Sequence, residues 1–443
     1  MGRTVATIRA RADIWRIDGP LHARGTLAPP GDKSIAHRAV LLAALAQGTC
    51  TLRGLPDGDD VRRTLAAIAS LGVRVQLRGG VARVHGVGLR GLRPPPGPID
   101  CGNSGTTMRL LAGVLAAQPF ASTLVGDESL SRRPMLRIAA PLGAMGARID
   151  CGPGGRPPLR ISPPQQGGLR GTTHTLAVDS AQVRGALLLA GLHAAGPTRL
   201  RPAGAARDHT ERMLRALGAC IRTDRGIELL PTLPRGWPGF EMQIPGDPSA
   251  AAFFAAWAAA RPGSRLLVRR LGLNPGRIRF LELLRAAGAS VRIAPGGESL
   301  GEPWGEVEIA GTVARQLRLA GADVVRCIDE IPALLAAAAL AGTGAVLRDA
   351  AELRVKESDR IAGMAAALAA FGARVQVRRD GLRLEPGSAL HAARVDSQGD
   401  HRIAMAAAIL AAGAPGTSCI RGVACVGTSY PGFAADFRRL ARR

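Results

Sequence analysis

Ser70-Leu71-Gly72-Val73-Arg74-Val75 closes one apolar-periodic run and opens an alternating one. The glycine falls where a helix turns off its axis, a position that favours positive φ and hence a residue without Cβ. The alternation after it has the period of a strand. The same junction returns at Ala144-Met145-Gly146-Ala147-Arg148-Ile149, Ala216-Leu217-Gly218-Ala219-Cys220-Ile221, Ala287-Gly288-Ala289-Ser290-Val291 and Phe371-Gly372-Ala373-Arg374-Val375. Its glycines stand 74, 72, 70 and 84 residues apart. That period is too long for a solenoid and suits repeated βαβ-containing units, each with a crossover helix. A sixth helical run, about 434–442, starts the pattern, and the chain stops before any closing glycine and strand. The expectation is an α/β protein of six units in two similar domains. Proline-rich Leu27-Ala28-Pro29-Pro30-Gly31 and Ile244-Pro245-Gly246-Asp247-Pro248 are the candidate hinges. Two crossings make 29–245 an inserted domain and 1–28 plus 246–443 a discontinuous domain built from both chain ends.

Composition narrows the function. A hydrophobic share of 47% supplies large cores, and an aromatic share of 3% means they are built from Ala, Leu, Val and Ile. The seven scattered cysteines show no C-x-x-C spacing, so neither a zinc site nor a disulfide framework is expected. A cytoplasmic protein fits that usage. The net charge of +24 comes as single and paired cations, never as a long basic block. With so few aromatics there is little material for stacking bases, so a basic surface with cations reserved for anionic small molecules is the better reading. The Arg-rich, acid-poor start of the chain has the composition of a transit peptide. The whole chain is Arg-rich, however, so that signal is weak. No apolar run is long enough to span a membrane.

Of 58 cationic side chains only Lys33 and Lys356 are lysine. A compact ammonium offers rotatable donors and a pKa that burial lowers, which arginine cannot imitate. Both lysines lie in polar turns that lead into helices: Gly31-Asp32-Lys33-Ser34-Ile35-Ala36-His37-Arg38 and Arg354-Val355-Lys356-Glu357-Ser358-Asp359-Arg360. The first lacks the frame of a P-loop, yet a helix N-terminus with Lys33, Ser34 and Arg38 suits an anion. In the second, helical spacing would put Lys356 and Arg360 on one face, with Glu357 beside Arg360. The same polar turn recurs at Asp100–Arg109, with its helix from Met108 to Leu115, and at Asp127–Met135, ahead of a Pro-started helix. It also recurs at Asp179–Arg184, Arg207–Glu211, Cys327–Pro332 and Asp400–Met405. Each alone reads as an ordinary helix cap; their recurrence in every unit is what points to one anion-binding face. His209 and His401 have no H-x-x-H or HExxH company, so no metal is expected.

These motifs, in this order from about Thr26 to Phe433, resemble the 5-enolpyruvylshikimate-3-phosphate synthases. The resemblance also takes in Thr428–Phe433. It implies two similar domains, each of three βαβαββ-type units, in the inside-out α/β barrel arrangement of enolpyruvyl transferases, with a cleft between them. The implied reaction moves the enolpyruvyl group of phosphoenolpyruvate to the 5-hydroxyl of shikimate 3-phosphate, releasing phosphate through a tetrahedral intermediate. It needs no cofactor or metal, and a cytoplasmic monomer is expected. By the resemblance Asp329 takes the hydroxyl proton, Glu357 protonates the methylene carbon and later removes a proton, and Lys33 meets both substrates. Ser34, Arg38, Ser180, Ala181, Gln182, Arg207, Asp329 and Lys356 would hold shikimate 3-phosphate. Gly105, Arg133 and Gln182 would receive the phosphate of phosphoenolpyruvate, and Arg360 and Arg402 its carboxylate.

Some positions depart from the family pattern. Thr428 stands where some members carry Lys, Ala36 replaces a hydroxyl residue, and Tyr430 replaces a usual Phe. Gly276 and Ile278 break a usual Thr-Arg-Thr in a segment expected to be remote from the chemistry. Gly105 is the small residue whose enlargement in some relatives goes with tolerance of glyphosate, so inhibition by glyphosate is expected. Three rival readings remain at this point: an enolpyruvyl transferase acting on UDP-N-acetylglucosamine, which usually has a reactive loop cysteine; a basic nucleic-acid-binding protein; and a catalytically dead relative.

Overall fold

The computed structural model describes residues 9–443 apart from 12, 166, 177, 178, 203, 225 and 233–235. The chain clusters into two compact units. A terminal unit comprises Met1–Pro30, Gly246–Gly297 and Pro303–Arg443, and an inserted unit comprises Gly31–Pro245 with Glu298–Glu302.

Among the described residues the helices of eight or more residues fall into six pairs. They are α1 (Lys33–Ala44) and α2 (Asp59–Ser70), α3 (Gly105–Leu115) and α4 (Leu136–Ala144), α5 (Ala181–Gly191) and α6 (His209–Ala216) in the inserted unit. The terminal unit holds α7 (Pro248–Ala260) and α8 (Arg279–Ala286), α9 (Ile331–Leu340) and α10 (Arg360–Ala370), α11 (His401–Gly413) and α12 (Phe433–Leu440). The first helix of each pair is apolar nearly all round and sunk in its unit's core; every residue of α7 is buried. A helix without a polar face has no other place to go. The second helix is amphipathic and covers the outside.

Each pair belongs to one repeat of strand, buried helix, parallel strand, outer helix and hairpin. Ile99–Asp100, α3, Ser122–Val125, α4, Arg148–Gly152 and Arg156–Ser162 are one copy, with the strands in the order first, second, fourth, third. Among the described residues all six sheets keep that order, one of them with Ala441–Arg442 added as a fifth, edge strand. The five junction glycines have φ of +88°, +96°, +93°, +115° and +89°. In each, the glycine N–H and the next N–H reach back to the outer helix, as Gly72 does to Ala69 O (3.0 Å) and Val73 to Ile68 O (3.1 Å). This is the Schellman closure the sequence predicts.

The sixth repeat is completed from the other end of the chain. Strand Ile14–Gly19 runs antiparallel to Gly416–Arg421 and pairs in turn with Arg9–Arg11. The hairpin of the sixth repeat is therefore supplied by Arg9–Arg11 and Ile14–Gly19, near the other end of the sequence; contrary to the sequence reading, a short strand, Ala441–Arg442, does follow α12, and it pairs with His22–Leu27 of another repeat. Trp15 stacks on Phe433 (5.3 Å between centroids) and Trp257 on Phe437 (4.8 Å), so scarce aromatics are concentrated where both chain ends meet. Among the described residues no helix is long and apolar enough to cross a membrane.

Candidate active site

Both kinds of helix begin in polar turns: Lys33, Ser34, Arg38, Gly105, Ser180, Ala181, Gln182, Asp329 and Arg402 sit at the starts of buried helices, and Arg133, Arg207, Lys356, Glu357 and Arg360 at or just before the starts of outer ones. In the inserted unit Asp32 caps α1, its carboxylate accepting from Ile35 N–H (3.1 Å). Lys33 follows, half-buried, with Nζ 2.9 Å from Asp60 Oδ2 on α2. Arg38 is buried. Its Nε donates to Thr210 Oγ1 (2.7 Å), Nη1 to Ser34 O (2.9 Å) and Nη2 to Ala181 O (3.1 Å). One guanidinium thus ties the starts of α1, α5 and α6. Burial pulls its pKa down to about 10, partly offset by Glu211, which leaves it charged at neutral pH.

Ser104 caps α3, accepting from Thr107 N–H (3.1 Å), and the helix starts at Gly105, three residues earlier than the apolar run indicates. Gly105 N–H donates to Asn103 O (3.0 Å). A Cβ on Gly105 would lie 3.1 Å from Arg109 Nη1 and 3.3 Å from Arg133 Nη1, so two guanidiniums flank it. Arg109 donates to Gln182 Oε1 (2.5 Å), and Gln182 Nε2 donates to Thr106 Oγ1 (2.9 Å). Arg133 donates to Asn103 Oδ1 (2.6 Å). Gly105, Arg133 and Gln182 are therefore one cluster. Pro134 does not start its helix: α4 begins at Leu136. Ser180 precedes α5 without a side-chain cap bond. Nearby Arg184, fully buried, joins Asp179 (3.3 Å) to Glu211 (2.8 Å) and donates to the carbonyls of Ala206 (2.9 Å) and Arg207 (3.2 Å). Arg207 enters this cluster through its backbone.

His37 lies behind α1. Its Nδ1 meets Thr64 Oγ1 (2.6 Å), Thr64 meets Thr107 Oγ1 (2.7 Å), and Thr107 donates to Ser104 Oγ (2.7 Å). Burial holds the imidazole pKa down at about 3, so it is neutral. The chain of hydroxyls fixes α1, α2 and α3 against one another.

In the terminal unit Arg360 is fully buried. Its Nε donates to Asp400 Oδ2 (2.8 Å), Nη1 to Asp329 Oδ1 (3.3 Å) and Nη2 to Glu357 Oε2 (2.5 Å). Burial alone would lower its pKa; Asp400, Glu357 and Asp329 reverse the direction and raise it. Arg402 donates to Asp329 O (2.7 Å), with Nε 3.5 Å from Asp329 Oδ1. Asp400 caps α11 through Arg402 N–H (2.8 Å). Burial would raise its pKa, but Arg360 holds it below the usual value. Lys356 is half-buried. Burial lowers its pKa and Asp329 works against that shift. Lys356 and Arg360 do not share a helix face: 351–355 form a 3₁₀ turn, and α10 begins only at Arg360, capped by Asp359. The Glu357–Arg360 pair forms because the chain folds back before its cap.

Sequence reasoning passed over Asp60 and gave Asn103, Arg109 and Thr210 no individual role, although it singled out the turns that hold them. Asp60 looks like an ordinary acid in the first turn of a helix, and no local pattern marks it as the partner of Lys33. Cys101 is fully buried and its thiol is pushed up to about 12 by burial, so it does not supply a reactive thiolate. Among the described residues no cluster of His, Cys, Asp and Glu could hold a metal ion.

The family model described as EPSP synthase (3-phosphoshikimate 1-carboxyvinyltransferase) matches residues 17–437. A 3-phosphoshikimate 1-carboxyvinyltransferase of Xanthomonas campestris pv. campestris is 48% identical over 414 residues, 93% of each chain. One from Acidithiobacillus ferrooxidans is 48% identical over 423 residues, covering 93% of this chain and 94% of that one. Among solved structures, an EPSP synthase of Acinetobacter baumannii superposes with a TM-score of 0.85 at 38% identity, covering 97% of this chain and 99% of that one. The enolpyruvyl transferase NikO of Streptomyces tendae, at 18% identity, a TM-score of 0.77 and 97% coverage of each chain, shares the fold.

Proposed function

This chain belongs to the EPSP synthase family, and from that premise we propose how its residues divide the work. The reaction is transfer of the enolpyruvyl group of phosphoenolpyruvate to shikimate 3-phosphate, a step of aromatic biosynthesis. In our reading Asp329 takes the proton of the 5-hydroxyl as its oxygen bonds to C2 of phosphoenolpyruvate, and Glu357 delivers a proton to C3. In the second step Glu357 removes a proton from that methyl group, the bond from C2 to the phosphate oxygen breaks, and phosphate leaves. Positioned groups of this kind contribute about 10²–10⁴-fold each.

The observation that carries this reading is the buried Arg360 guanidinium, which holds Asp329, Glu357 and Asp400 at once. Glu357 beside a cation favours its ionised form, which is wrong for an acid. Arrival of the substrate carboxylate at Arg360 and Arg402 changes that, because the incoming anion competes for Arg360 and repels the Glu357 charge. Both effects raise the Glu357 pKa when the proton is needed. Planar guanidiniums suit that carboxylate. We assign the phosphate of phosphoenolpyruvate to Gly105, Arg133 and Gln182, and shikimate 3-phosphate to Ser34, Arg38, Ser180, Ala181, Gln182, Arg207, Asp329 and Lys356. Lys33 serves both substrates. The two compact units are the two domains of this scheme, and the protein acts as a cytoplasmic monomer that binds no nucleic acid.

The test is phosphate release from the purified protein with phosphoenolpyruvate and shikimate 3-phosphate, each omitted in turn. Release that needs both supports the reading. Release with UDP-N-acetylglucosamine in place of shikimate 3-phosphate would sink it.

A further inference from the structure

A second buried ion cluster adjoins Asp329, and the proposed chemistry does not use it. Its centre is Arg277, 1% exposed, in the Asn274–Ile278 segment that the sequence suggests is remote from the reaction. Nη2 lies 2.6 Å from Asp247 Oδ1, and Nη1 lies 3.7 Å from Glu330 Oε1. Glu330 is fully buried and accepts a short hydrogen bond from the Ser249 hydroxyl. Asp247 Oδ1 also accepts Ser249 N–H (2.7 Å). The arginine is itself pinned by a turn: Asn274, buried, accepts Gly276 N–H at Oδ1 (2.8 Å), and Arg277 N–H donates to Asn274 O (2.8 Å).

The position of the two carboxylates gives the cluster its meaning. Asp247 is the N-cap of α7 and Glu330 the N-cap of α9. Glu330 is also the chain neighbour of Asp329, whose carbonyl receives Arg402 and whose carboxylate receives Arg360. Two carboxylates, Glu330 fully and Asp247 partly buried, repel without a cation between them and are poorly solvated. With the cation in place the starts of α7 and α9 have one favoured spacing. A group that must meet a reacting atom has to be held to within about 0.5 Å by its supporting contacts.

We propose that Arg277 is a positioning residue for Asp329: by bridging the caps of α7 and α9 through Asp247 and Glu330, it fixes the peptide of Glu330 and so the place of the Asp329 carboxylate against Arg360 and Arg402. This rests on Asp329 being the base. The test is a double-mutant cycle by steady-state phosphate release, with each rate divided by the folded fraction from thermal melting. Glu330→Gln keeps the shape and the Ser249 contact; it lowers kcat about tenfold, as a small misplacement does, with both KM values within about twofold. Arg277→Lys, which keeps the charge but loses the fork, falls between wild type and Arg277→Met. In the Asp329→Asn background Glu330→Gln costs less than about twofold more, because the group it positions is already gone. The same tenfold factor in both backgrounds would overturn the positioning role while leaving Asp329 as base. Little loss from Asp329→Asn alone would overturn the base assignment and, with it, this proposal. If Arg277→Met does not fold, Glu330→Gln and Arg277→Lys carry the test.

Discussion

In the inserted unit Arg109 donates to the Gln182 amide, Arg133 to the Asn103 amide, and Arg38 to two carbonyls and a hydroxyl, while Lys33 pairs with the single carboxylate of Asp60. In the terminal unit Arg360 leans on three carboxylates and Arg402 on Asp329. The difference teaches a division of labour. On the proposed assignments, the amide- and carbonyl-held arginines of the inserted unit serve to bind an incoming anion. On the same assignments, the carboxylate-held Arg360 and Arg402 of the terminal unit serve the proton transfers, because an incoming anion competes with the acids that hold them.

The sharpest way to break the comparison is Glu357→Gln, which removes a proton carrier and keeps its shape. It should lower kcat by about 10²–10⁴-fold and leave the KM for shikimate 3-phosphate within about twofold, measured by phosphate release. Arg133→Ala should do the reverse, raising the KM of phosphoenolpyruvate roughly 10–100-fold, the worth of a charged hydrogen bond, with little change in kcat. A collapse of kcat in Arg133→Ala would erase the distinction.

Acid should separate the halves too. His37 has a folded pKa of about 3 against an ordinary 6.5. Between those values the unfolded chain binds a proton that the folded one does not, so stability is present above pH 6.5 and falls by about 1.4 kcal/mol per pH unit on the way down. Asp400 is likewise depressed, from 3.8, so its contribution is lost only at still lower pH, as its folded carboxylate takes a proton. Denaturant melts at stepped pH should show a first loss below about pH 6.5, shared with His193 (held at about 4 by burial) and His174, that His37→Asn makes shallower. An equal slope in the variant would remove His37 as a cause. The smallest effect is Gly105→Ala. Its Cβ presses on Arg109 and Arg133 at 3.1–3.3 Å, an overpacking of about 1 kcal/mol. The KM of phosphoenolpyruvate should rise about fivefold, and inhibition by glyphosate should weaken by more than that. Unchanged inhibition would sink the assignment of Gly105 to the phosphoenolpyruvate site.

The repeat was legible because its signal is local: a glycine at +88° to +115°, two back-bonds and an alternating strand all lie within a few residues. The candidate site residues were picked out through motifs that resemble a known family, and most of them stand at the starts of buried helices. What escaped is long-range. Nothing near Asp60 says it will meet Lys33, and nothing near Arg277 says it will sit between Asp247 and Glu330, 30 and 53 positions away. Helical spacing misled at Lys356 and Arg360, because the Asp359 cap delays the helix and the loop before it obeys no period.

The pairing of Ile14–Gly19 with Gly416–Arg421 has a consequence for the newborn protein. The inserted unit has nearly all its chain once Pro245 is made, so it can fold while the ribosome is still working, as domains generally do. The terminal unit cannot. Its first hairpin, carrying Trp15, waits through some four hundred further residues for the strand and the Phe433 ring that cover it. Throughout translation a strand edge and a large aromatic stay open to the wrong partner. Emergence of Gly416–Arg421 and Phe433, long after the hairpin itself, releases the terminal unit into its native form.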